Sequence, residues 1–420
     1  HAHRDGSPVV FGTESEPLAS IWDANTHQPI EFVIQKESEV SFVGRAEVEG
    51  AVIERRMLFD PAKKSIFNEV KVQKTKSDPT RLLLVISEKK QAGSGSSFLM
   101  PSFEHQEFVA KHQGSLERFN VTGMKENFAK ELPGISLAAV SSQYFATALH
   151  DQSDVIPVMQ MSAPASESGV LFAGLRYDIS SSVHLKWTQF SGPKSHNLLK
   201  SIDPAFVEIV NFGWFQSIGE VLLKVLLLFH KFLDNWGLSI IALTLLVRLL
   251  VLPFNLASYK SMKKMQKVQP LIQSIRERYK DDAQALNREM MQLFKEHKVN
   301  PVGGCLPMFL QMPVFFALYQ VLGQSVELYR APFFGWITDL SLKDPLYVLP
   351  VLMGLAMWFQ QRITPSTMDP AQAKIMQFLP LVFCVFMLAL PSGLTLYILV
   401  STVFGIVQQQ IFTRDQKAAN

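Results

Sequence analysis

Residues 375–413 form a long run without a single charged side chain, and this run restricts the fold of the chain more than any other feature. As one helix rising about 1.5 Å per residue, it would reach roughly 60 Å. That is about twice the hydrocarbon thickness of a membrane, which is roughly 30 Å. The run must therefore turn, and Pro391-Ser392-Gly393 near its middle has the residue types of a turn. We predict a tight hairpin of two membrane spans, at 374–390 and 393–411.

Three further segments are apolar and approach the roughly 20 residues that a membrane span needs. The segment 238–256 is interrupted only by Arg248, a second span lies inside 299–326, and 345–361 is short but rich in Leu, Met and Trp. A large buried core in a soluble helical protein is the alternative, but charge-free runs of this length are rare in soluble helices. The whole chain is 18% charged, against about 25% in a typical soluble protein. The sequence therefore predicts five spans.

The charges of the loops predict how these spans are oriented, because cytoplasmic loops carry an excess of Lys and Arg. Residues 257–300 hold ten basic and five acidic residues, whereas residues 327–344 hold two basic and three acidic residues. We therefore expect 257–300 to be cytoplasmic and 327–344 to be external. Counting the spans backwards places the N-terminal region outside. Counting forwards places the C-terminus in the cytoplasm. The membrane core is thus expected at 237–414 and a short cytoplasmic tail at 415–420.

Residues 1–205 differ from the rest because their composition is that of a soluble domain. Short β-like runs separated by turn residues predict a β-sandwich there. These runs are Val40–Val48, Arg81–Ile86, Val170–Ile179 and Val183–Phe190. A helical connector is expected at 195–211. An external domain requires an export signal, so we expect a signal or anchor helix to precede His1.

The segment 206–236 joins the two parts and contains an amphipathic helix. Its polar residues fall within about 80° of one another at about 100° per residue. They are Gln216, Glu220, Lys224, Lys231 and Asp234. This pattern favours a helix lying in the plane of the membrane interface. A sixth span is the alternative, and it would put the N-terminal domain on the same side as the basic loop.

The basic loop 257–300 is predicted to be a helical hairpin with arms at 259–279 and 283–297. Its first arm carries most of the positive charge. The basic residues that we assign to it as candidates for contact with an incoming chain are Lys260, Lys263, Lys264, Lys267, Arg276 and Arg278. The composition fits equally well a solvated loop that touches anionic lipid.

Arg248 is the one charged residue near the middle of a predicted span. An arginine at that depth costs a few kcal/mol or more unless water or polar groups surround it. Thr244 and Asn255 lie on the same helical face at i−4 and i+7. We predict a water-filled groove with Arg248 as its fixed positive charge, and snorkelling to the headgroups is the alternative.

Other polar residues extend this predicted groove. Tyr397, Ser401 and Gln408 share one face of the last span, and Gln311 adds an amide within the second span. The predicted spans contain no His, Asp or Glu, which argues against a proton relay or an intramembrane protease. Phosphate-binding loops and the HExxH and CxxC metal motifs are also lacking. We therefore expect no enzyme activity, no cofactor and no metal, and a net charge of +3 gives no reason to expect nucleic-acid binding.

Several stretches of the membrane part resemble the YidC/Oxa1/Alb3 family of membrane protein insertases, in particular its Gram-negative members. They are NWGLSIIALTLLVRLLVLPFN (235–255), KMQKVQPLIQSIRERYKDD (264–282), NPVGGCLPMFLQMPVFFALYQVL (300–322), APFFGWITDLSLKDPLYVLPVLMG (331–354) and LPSGLTLYILVSTVFGIVQQQ (390–410). The resemblance implies an external β-supersandwich and a five-helix core in the bacterial inner membrane. It also implies that Arg248 is the groove arginine, with Thr244 nearby and Gln311 and Tyr397 at substrate-contact positions.

The family resemblance implies partners as well: nascent membrane proteins, the lipid bilayer, the Sec translocon, and the ribosome with its signal-recognition machinery. Three departures matter. The first transmembrane helix of Gram-negative members is expected to precede His1, the tail is short and weakly basic, and Ala389 stands where some relatives carry an aromatic residue. A transporter of an anionic solute and a membrane-anchored carbohydrate-binding or mutarotase module are the alternatives to an insertase.

Overall fold

A computed structural model describes residues 20–48, 50–90, 105–166, 169–299, 306–364 and 377–418. The chain divides into two compact units, His1–Asn211 and Phe212–Asn420. The first unit is built from β-strands and the second from helices.

Antiparallel strands make up nearly all of the regular structure described in the first unit. They are β1 (Ser20–Asp23), β2 (Gln28–Pro29), β3 (Val33–Lys36), β4 (Ser41–Val48), β5 (Ala51–Asp60), β6 (Ser65–Lys74), β7 (Thr80–Lys89), β8 (Gln106–His112), β9 (Ser115–Asn120), β10 (Phe128–Pro133), β11 (Ile135–Ser142), β12 (Phe145–Asp151), β13 (Val158–Ala163), β14 (Val170–Ile179) and β15 (Val183–Pro193). The predicted β-like runs coincide with β4, β7, β14 and β15.

These strands form two sheets. One has the order β10-β13-β14-β7-β1-β2 and the other the order β3-β4-β5-β6-β15-β12-β11-β8-β9. Side chains alternate between the two faces of a strand, so in β15 Leu185 and Trp187 are buried while Lys186 between them is partly exposed. Leu84 of the first sheet and Val70 of the second belong to the same buried core. The predicted β-sandwich is confirmed.

Helical segments follow the sandwich at the end of the first unit. Helix α1 (His196–Ile202) is followed by a 3-10 turn at Pro204–Ile209, within the predicted connector. Arg118 holds the turn, since its Nη2 donates to the carbonyl oxygens of Glu208 at 2.6 Å and Ile209 at 3.1 Å. Glu107 in turn accepts from Nη1 of Arg118 at 2.6 Å.

The interior of the sandwich also holds charged side chains. Arg55 is buried, and its Nε and Nη2 donate to Oδ1 of Asn68 at 3.1 and 2.7 Å. Burial lowers the pKa of the Arg55 guanidinium to about 10. Lys194 is buried too and donates to Oγ of Ser141 at 3.0 Å, while burial lowers its pKa to about 8.

Glu88 is another buried charged residue of this unit. Burial raises the pKa of its carboxyl to about 7, although a hydrogen bond from Gln106 and the charge of Lys194 act in the opposite direction. The carboxyl therefore changes its charge near neutral pH.

The second unit is helical. Its helices are α2 (Gln216–Leu233), α3 (Trp236–Arg278), α4 (Ala283–Glu296), α5 (Leu306–Gln324), α6 (Val348–Ile363), α7 (Leu379–Met387) and α8 (Ser392–Ala418). Helix α8 packs against α3, α5 and α6, and α2 packs against α3 and α5. Leu226, Leu243, Met353 and Leu394 belong to the shared apolar core.

The predicted first span and the predicted first arm of the hairpin lie on the same helix. Helix α3 runs without interruption from Trp236 to Arg278, so span and arm are one helix of 43 residues. The sequence between residues 256 and 259 contains neither Gly nor Pro, and the two prolines of the helix, Pro253 and Pro270, are accommodated within it. The predicted second arm is confirmed as α4, and Asp282 caps it by accepting from the backbone N–H groups of Gln284 and Ala285.

Two helices of the described chain, α3 and the part of α8 up to Phe412, are long and apolar enough to cross a membrane. Helix α6 has 16 residues and α7 has 9. The break predicted at Pro391-Ser392-Gly393 is confirmed, since α7 ends at Met387 and α8 begins at Ser392. Residues 374–376 of the predicted fourth span lie outside the described residues.

Candidate functional site

Arg248 lies on α3 at the boundary between packed and exposed side chains. Val247 and Val251 are buried, whereas Leu249 and Leu250 are exposed. The Nε of Arg248 donates to Oγ of Ser401 on α8 at 2.8 Å. This contact joins two helices and fixes the guanidinium against a neutral partner.

Among the described residues, Arg248 forms no ion pair with an acidic side chain. The apolar parts of α3, α5, α6, α7 and α8 contain no Asp or Glu. Within the described residues, the hydrogen bond of the guanidinium goes to a hydroxyl, which carries no charge. In the described part of the chain, the guanidinium of Arg248 is thus held by a neutral group.

Thr244 lies on α3 one turn before Arg248 and is almost completely buried. It is only 1% exposed, and its hydroxyl donates to the carbonyl oxygen of Ile240 one turn earlier at 2.6 Å. The hydroxyl is therefore used within α3 and does not contact Arg248.

Two more polar contacts cross between helices on the same face of α8. Nε2 of Gln311 on α5 donates to the hydroxyl of Tyr397 at 2.7 Å. Nδ2 of Asn255 on α3 donates to Oε1 of Gln408 at 3.4 Å. We call Tyr397, Ser401 and Gln408 with their partners the polar seam. The structure thus brings together the groove residues predicted from sequence, apart from Thr244.

Two residues next to the polar seam were missed by the sequence analysis. Gly405 is buried on α8, and a Cβ atom built there would lie 2.9 Å from Nε2 of Gln360 and 3.9 Å from Nη1 of Arg248. Gln360 on α6 and Arg248 on α3 therefore approach α8 at the same glycine. A glycine inside a helix is less favourable than alanine by about 1 kcal/mol. A glycine within the apolar last span was therefore the one feature of the sequence that could have indicated this close approach.

The cytoplasmic hairpin predicted at 257–300 has a small core of its own. Val268 and Ile272 of α3 pack with Leu293 of α4 and Val299. The basic residues of the first arm surround this core without joining it. Lys260, Lys264, Lys267 and Arg278 are exposed, and Lys263 and Arg276 are half-buried. The hairpin thus carries its basic side chains around a small hydrophobic core of its own.

Two protein families match the chain, one for each unit. The family described as "YidC periplasmic domain" matches residues 9–225. The family described as "60Kd inner membrane protein" matches residues 228–419. Together the two matches cover nearly the whole chain.

Curated relatives carry the name membrane protein insertase YidC. The protein of Geobacter sulfurreducens is 49% identical over 56% of this chain and 44% of its own length. The protein of Oleidesulfovibrio alaskensis is 37% identical over 89% of this chain and 70% of its own length. The chain spans about half the length of the first of these relatives. A crystal structure described as an active YidC insertase with its first transmembrane domain resolved aligns with a TM-score of 0.42 and 19% identity, covering 93% of this chain and 82% of that one.

Proposed function

Because this chain belongs to the YidC family of membrane protein insertases, we propose that it moves newly made membrane proteins from the cytoplasmic face into the inner-membrane bilayer. The substrate's polar segment passes through a hydrophilic groove next to the polar seam. The activity makes and breaks no covalent bond, so it needs positioning groups and no catalytic residue.

The contact between Arg248 and Ser401 supports this proposal most directly. A guanidinium bonded to a hydroxyl in surroundings without carboxylates keeps its charge for a passing acidic segment. A charged side chain within a membrane is stable only beside water or polar groups. The polar seam supplies such groups along α8, from Tyr397 to Gln408.

The proposed arrangement in the membrane has five spans, carried by α3, α5, α6, the region of α7, and α8. The N-terminal β-sandwich lies in the periplasm, while the hairpin 257–300 and the C-terminus lie in the cytoplasm. The balance of basic and acidic residues in the loops supports this orientation. Helix α2 lies at the periplasmic interface, where its exposed Val221, Leu228 and Phe232 contact lipid.

Insertion then proceeds in three steps. The basic hairpin meets the incoming chain at the cytoplasmic face. The polar and often acidic external segment of the substrate enters beside Arg248. Its apolar segment slides into lipid along exposed apolar side chains of α5 and α7, such as Phe316 and Val382.

The free energy of this process comes from the substrate. Each polar group left without a partner in lipid costs several kcal/mol, and a wet groove shortens the path over which that cost applies. Burial of the substrate's apolar segment contributes about 25 cal/mol per Å². ATP and ion gradients are therefore not required.

The proposed partners are nascent membrane proteins, alone or delivered by the Sec translocon, and the ribosome with its signal-recognition machinery. The positive charge of the hairpin also supports contact with anionic lipid. No direct, sequence-specific contact with nucleic acid is proposed.

Reconstitution in liposomes tests the proposal. The substrate is a short single-span protein with an acidic external tail, and insertion is read from protease protection of that tail. We expect Arg248→Ala to lower insertion about ten-fold, which is the effect of losing one charge-assisted hydrogen bond, and Arg248→Lys to retain most of it. Arg330→Ala removes an arginine from the loop after α5 and serves as the matched control. Equal insertion by wild type and Arg248→Ala would contradict the role of the charge.

A further inference from the structure

The loop 331–347 lies between α5 and α6 in the sequence and is bonded to the beginnings of α3 and α8. Nδ2 of Asn235, the residue that caps α3, donates to the carbonyl oxygen of Phe333 at 3.4 Å. At the start of α8, the backbone N–H of Ser392 donates to the carbonyl oxygen of Leu342 at 2.6 Å. Both helices are long and apolar enough to cross a membrane. The loop therefore lies at the level where these two spans begin.

One set of side chains fixes the loop to the helices. Ile337 and Leu340 are buried in the apolar core of the helical unit. The ring of Phe333 lies against Gly237 of α3, and a Cβ atom built on Gly237 would come within 2.0 Å of that ring. Only a glycine allows so close an approach. The loop is thus part of the packed structure, and the side chains that it exposes have defined positions.

A second set of side chains in the loop is large, apolar and exposed. Its members are Phe334, Trp336, Leu342, Leu346 and Tyr347. Tyr347 has a φ of 56°, a left-handed conformation that is uncommon for a bulky residue. A contiguous group of exposed apolar side chains on a folded protein marks a contact with a partner or a membrane.

The charged residues of the loop are divided between its interior and its surface. Asp344 is buried and accepts from Nε1 of Trp336 at 2.9 Å and from the backbone N–H of Leu349 at 2.7 Å. Asp339 is half-buried, whereas Lys343 is exposed. The exposed surface of the loop is therefore aromatic and positively charged, although its sequence contains more acidic than basic residues.

We propose that the exposed side chains of the loop 331–347 anchor the protein among the lipid headgroups of one leaflet, with Lys343 binding anionic phospholipid. Tryptophan and tyrosine are enriched at the membrane–water interface, because an apolar ring and a polar group suit both sides of it. A lysine beside them attracts anionic headgroups. The loop is bonded to the beginnings of α3 and α8, so this anchor fixes the depth at which both spans start. The inference rests on the proposed function only for the side of the membrane, which is the external one.

A fluorescent label that responds to polarity tests the position of the loop. It is attached at Phe334→Cys in the full chain, reconstituted in liposomes, with Cys305 and Cys384 replaced by serine. Leu346→Cys provides a second labelled position, and the two native side chains are 58% and 61% exposed. We expect blue-shifted emission at both positions, quenched more strongly by a nitroxide near the lipid headgroup than by one near the end of the acyl chain.

Two labelled positions of similar exposure serve as matched controls. Ile156→Cys in the sandwich replaces a side chain that is 71% exposed and should report water, while Val382→Cys on α7 replaces one that is 60% exposed and should be quenched most by the deep nitroxide. If the loop labels behave like the label at Ile156, the loop lies in water and the anchor is wrong. If they behave like the label at Val382, the loop lies among acyl chains, and the headgroup position is wrong as well.

The choice of lipid is tested in vesicles of phosphatidylcholine mixed with phosphatidylglycerol. The nitroxide is carried near the headgroup by one lipid or by the other, and the ratio of the two quenching values measures how far the anionic lipid is enriched at the loop. We expect Lys343→Gln to lower this ratio by up to about five-fold, the effect of one lysine at an anionic surface. Lys280→Gln removes an exposed lysine from the cytoplasmic hairpin and should leave the ratio unchanged.

The outcomes separate this inference from the proposed function, because none of these measurements contains a substrate. Insertion by the unlabelled wild type is measured in the same liposomes. If the wild type inserts nothing while the loop labels report headgroups, the proposed function is wrong and the anchor stands. If insertion proceeds and the labels report water, only the anchor is wrong. An unchanged lipid ratio in Lys343→Gln, or an equal fall in Lys280→Gln, would overturn the binding of anionic lipid by Lys343.

Discussion

The β-sandwich unit and the helical unit differ in the partners of their buried charged side chains. In the sandwich, Glu107 accepts from Arg118 at 2.6 Å, and Arg118 in turn holds the 3-10 turn at Pro204–Ile209. These charged side chains therefore stabilise the fold of the sandwich unit. In the helical unit, Arg248 has a hydroxyl as its partner, and the apolar parts of the helices around it contain no Asp or Glu.

This difference separates residues that maintain a fold from residues that act on another molecule. Removing one partner of a buried charged contact typically costs about 3–5 kcal/mol, because it leaves a charge unpaired in the interior. Arg248 bonds to the neutral hydroxyl of Ser401, so its removal leaves no carboxylate without a partner. We therefore expect stability effects to concentrate in the sandwich and insertion effects at Arg248.

The largest effect is expected from Asn68→Ala in the sandwich. Asn68 accepts hydrogen bonds from Nε and Nη2 of the buried Arg55 guanidinium. Its loss should lower the free energy of unfolding of this unit by about 3 kcal/mol, measured by urea denaturation of the full chain with the sandwich tryptophans as probe. The double variant Arg55→Met with Asn68→Leu should recover most of this loss. If Asn68→Ala lowered the free energy of unfolding by less than about 1 kcal/mol, the buried charges of the sandwich would not have the stabilising role that distinguishes them from Arg248.

A smaller effect is expected from the titration of Glu88. Its pKa is raised in the folded protein to about 7 by burial, above the value of about 4.3 for an unfolded chain. The neutral carboxyl therefore favours folding, and that contribution is fully present below about pH 4.3 and is lost as the pH rises through 7.

Glu88→Gln removes this pH dependence. Relative to wild type, the variant should gain on the order of 2 kcal/mol of stability between pH 5 and pH 8, measured as the change in urea midpoint. Insertion activity, compared at one pH, should not change. A constant difference between variant and wild type across this range would show that Glu88 does not titrate within the sandwich.

Tyr397→Phe should give a modest effect in the helical unit. The variant keeps the ring and removes the hydroxyl that accepts from Gln311 at 2.7 Å. We expect a loss of about 1 kcal/mol in stability, read from the melting temperature in detergent, and less than about a two-fold change in acidic-tail insertion. An insertion defect as large as that of Arg248→Ala would place Tyr397 among the residues that act on the substrate.

The smallest effect is expected for the exposed ion pair between Arg45 and Glu54, whose nitrogen and oxygen are 3.1 Å apart. Both side chains are exposed to solvent, so screening leaves about 0–1 kcal/mol for such a pair. Arg45→Ala should therefore shift the urea midpoint barely measurably. A shift as large as that of Asn68→Ala would show that burial does not decide which charges stabilise the sandwich.

Local sequence patterns predicted the elements that depend on local physics. Short β-like runs between turn residues marked β14 and β15, and Pro391-Ser392-Gly393 marked the break between α7 and α8. The residue types of a strand, a turn or a helix cap act within a few positions, so such features can be recognised without a structure.

Features that depend on distant partners were not predictable in this way. The pairing of β6 with β15, for example Val70 with Leu185, joins strands more than a hundred residues apart. Helix α3 continues through residue 257 because no Gly or Pro ends it there. The absence of such a residue is not a motif that can be recognised in a sequence. Gly405 and Gln360 could not be recognised as neighbours, because their meeting depends on how α6 packs on α8.

Inverting the charge at position 248 tests the central claim most directly. Liposomes containing the full chain are given two substrates that differ only in an acidic or a basic external tail, and tail translocation is measured for wild type and for Arg248→Glu. We expect wild type to favour the acidic tail and Arg248→Glu to favour the basic tail. If both proteins prefer the same tail to the same degree, Arg248 does not attract the translocated segment, and the proposed role of the free charge is contradicted.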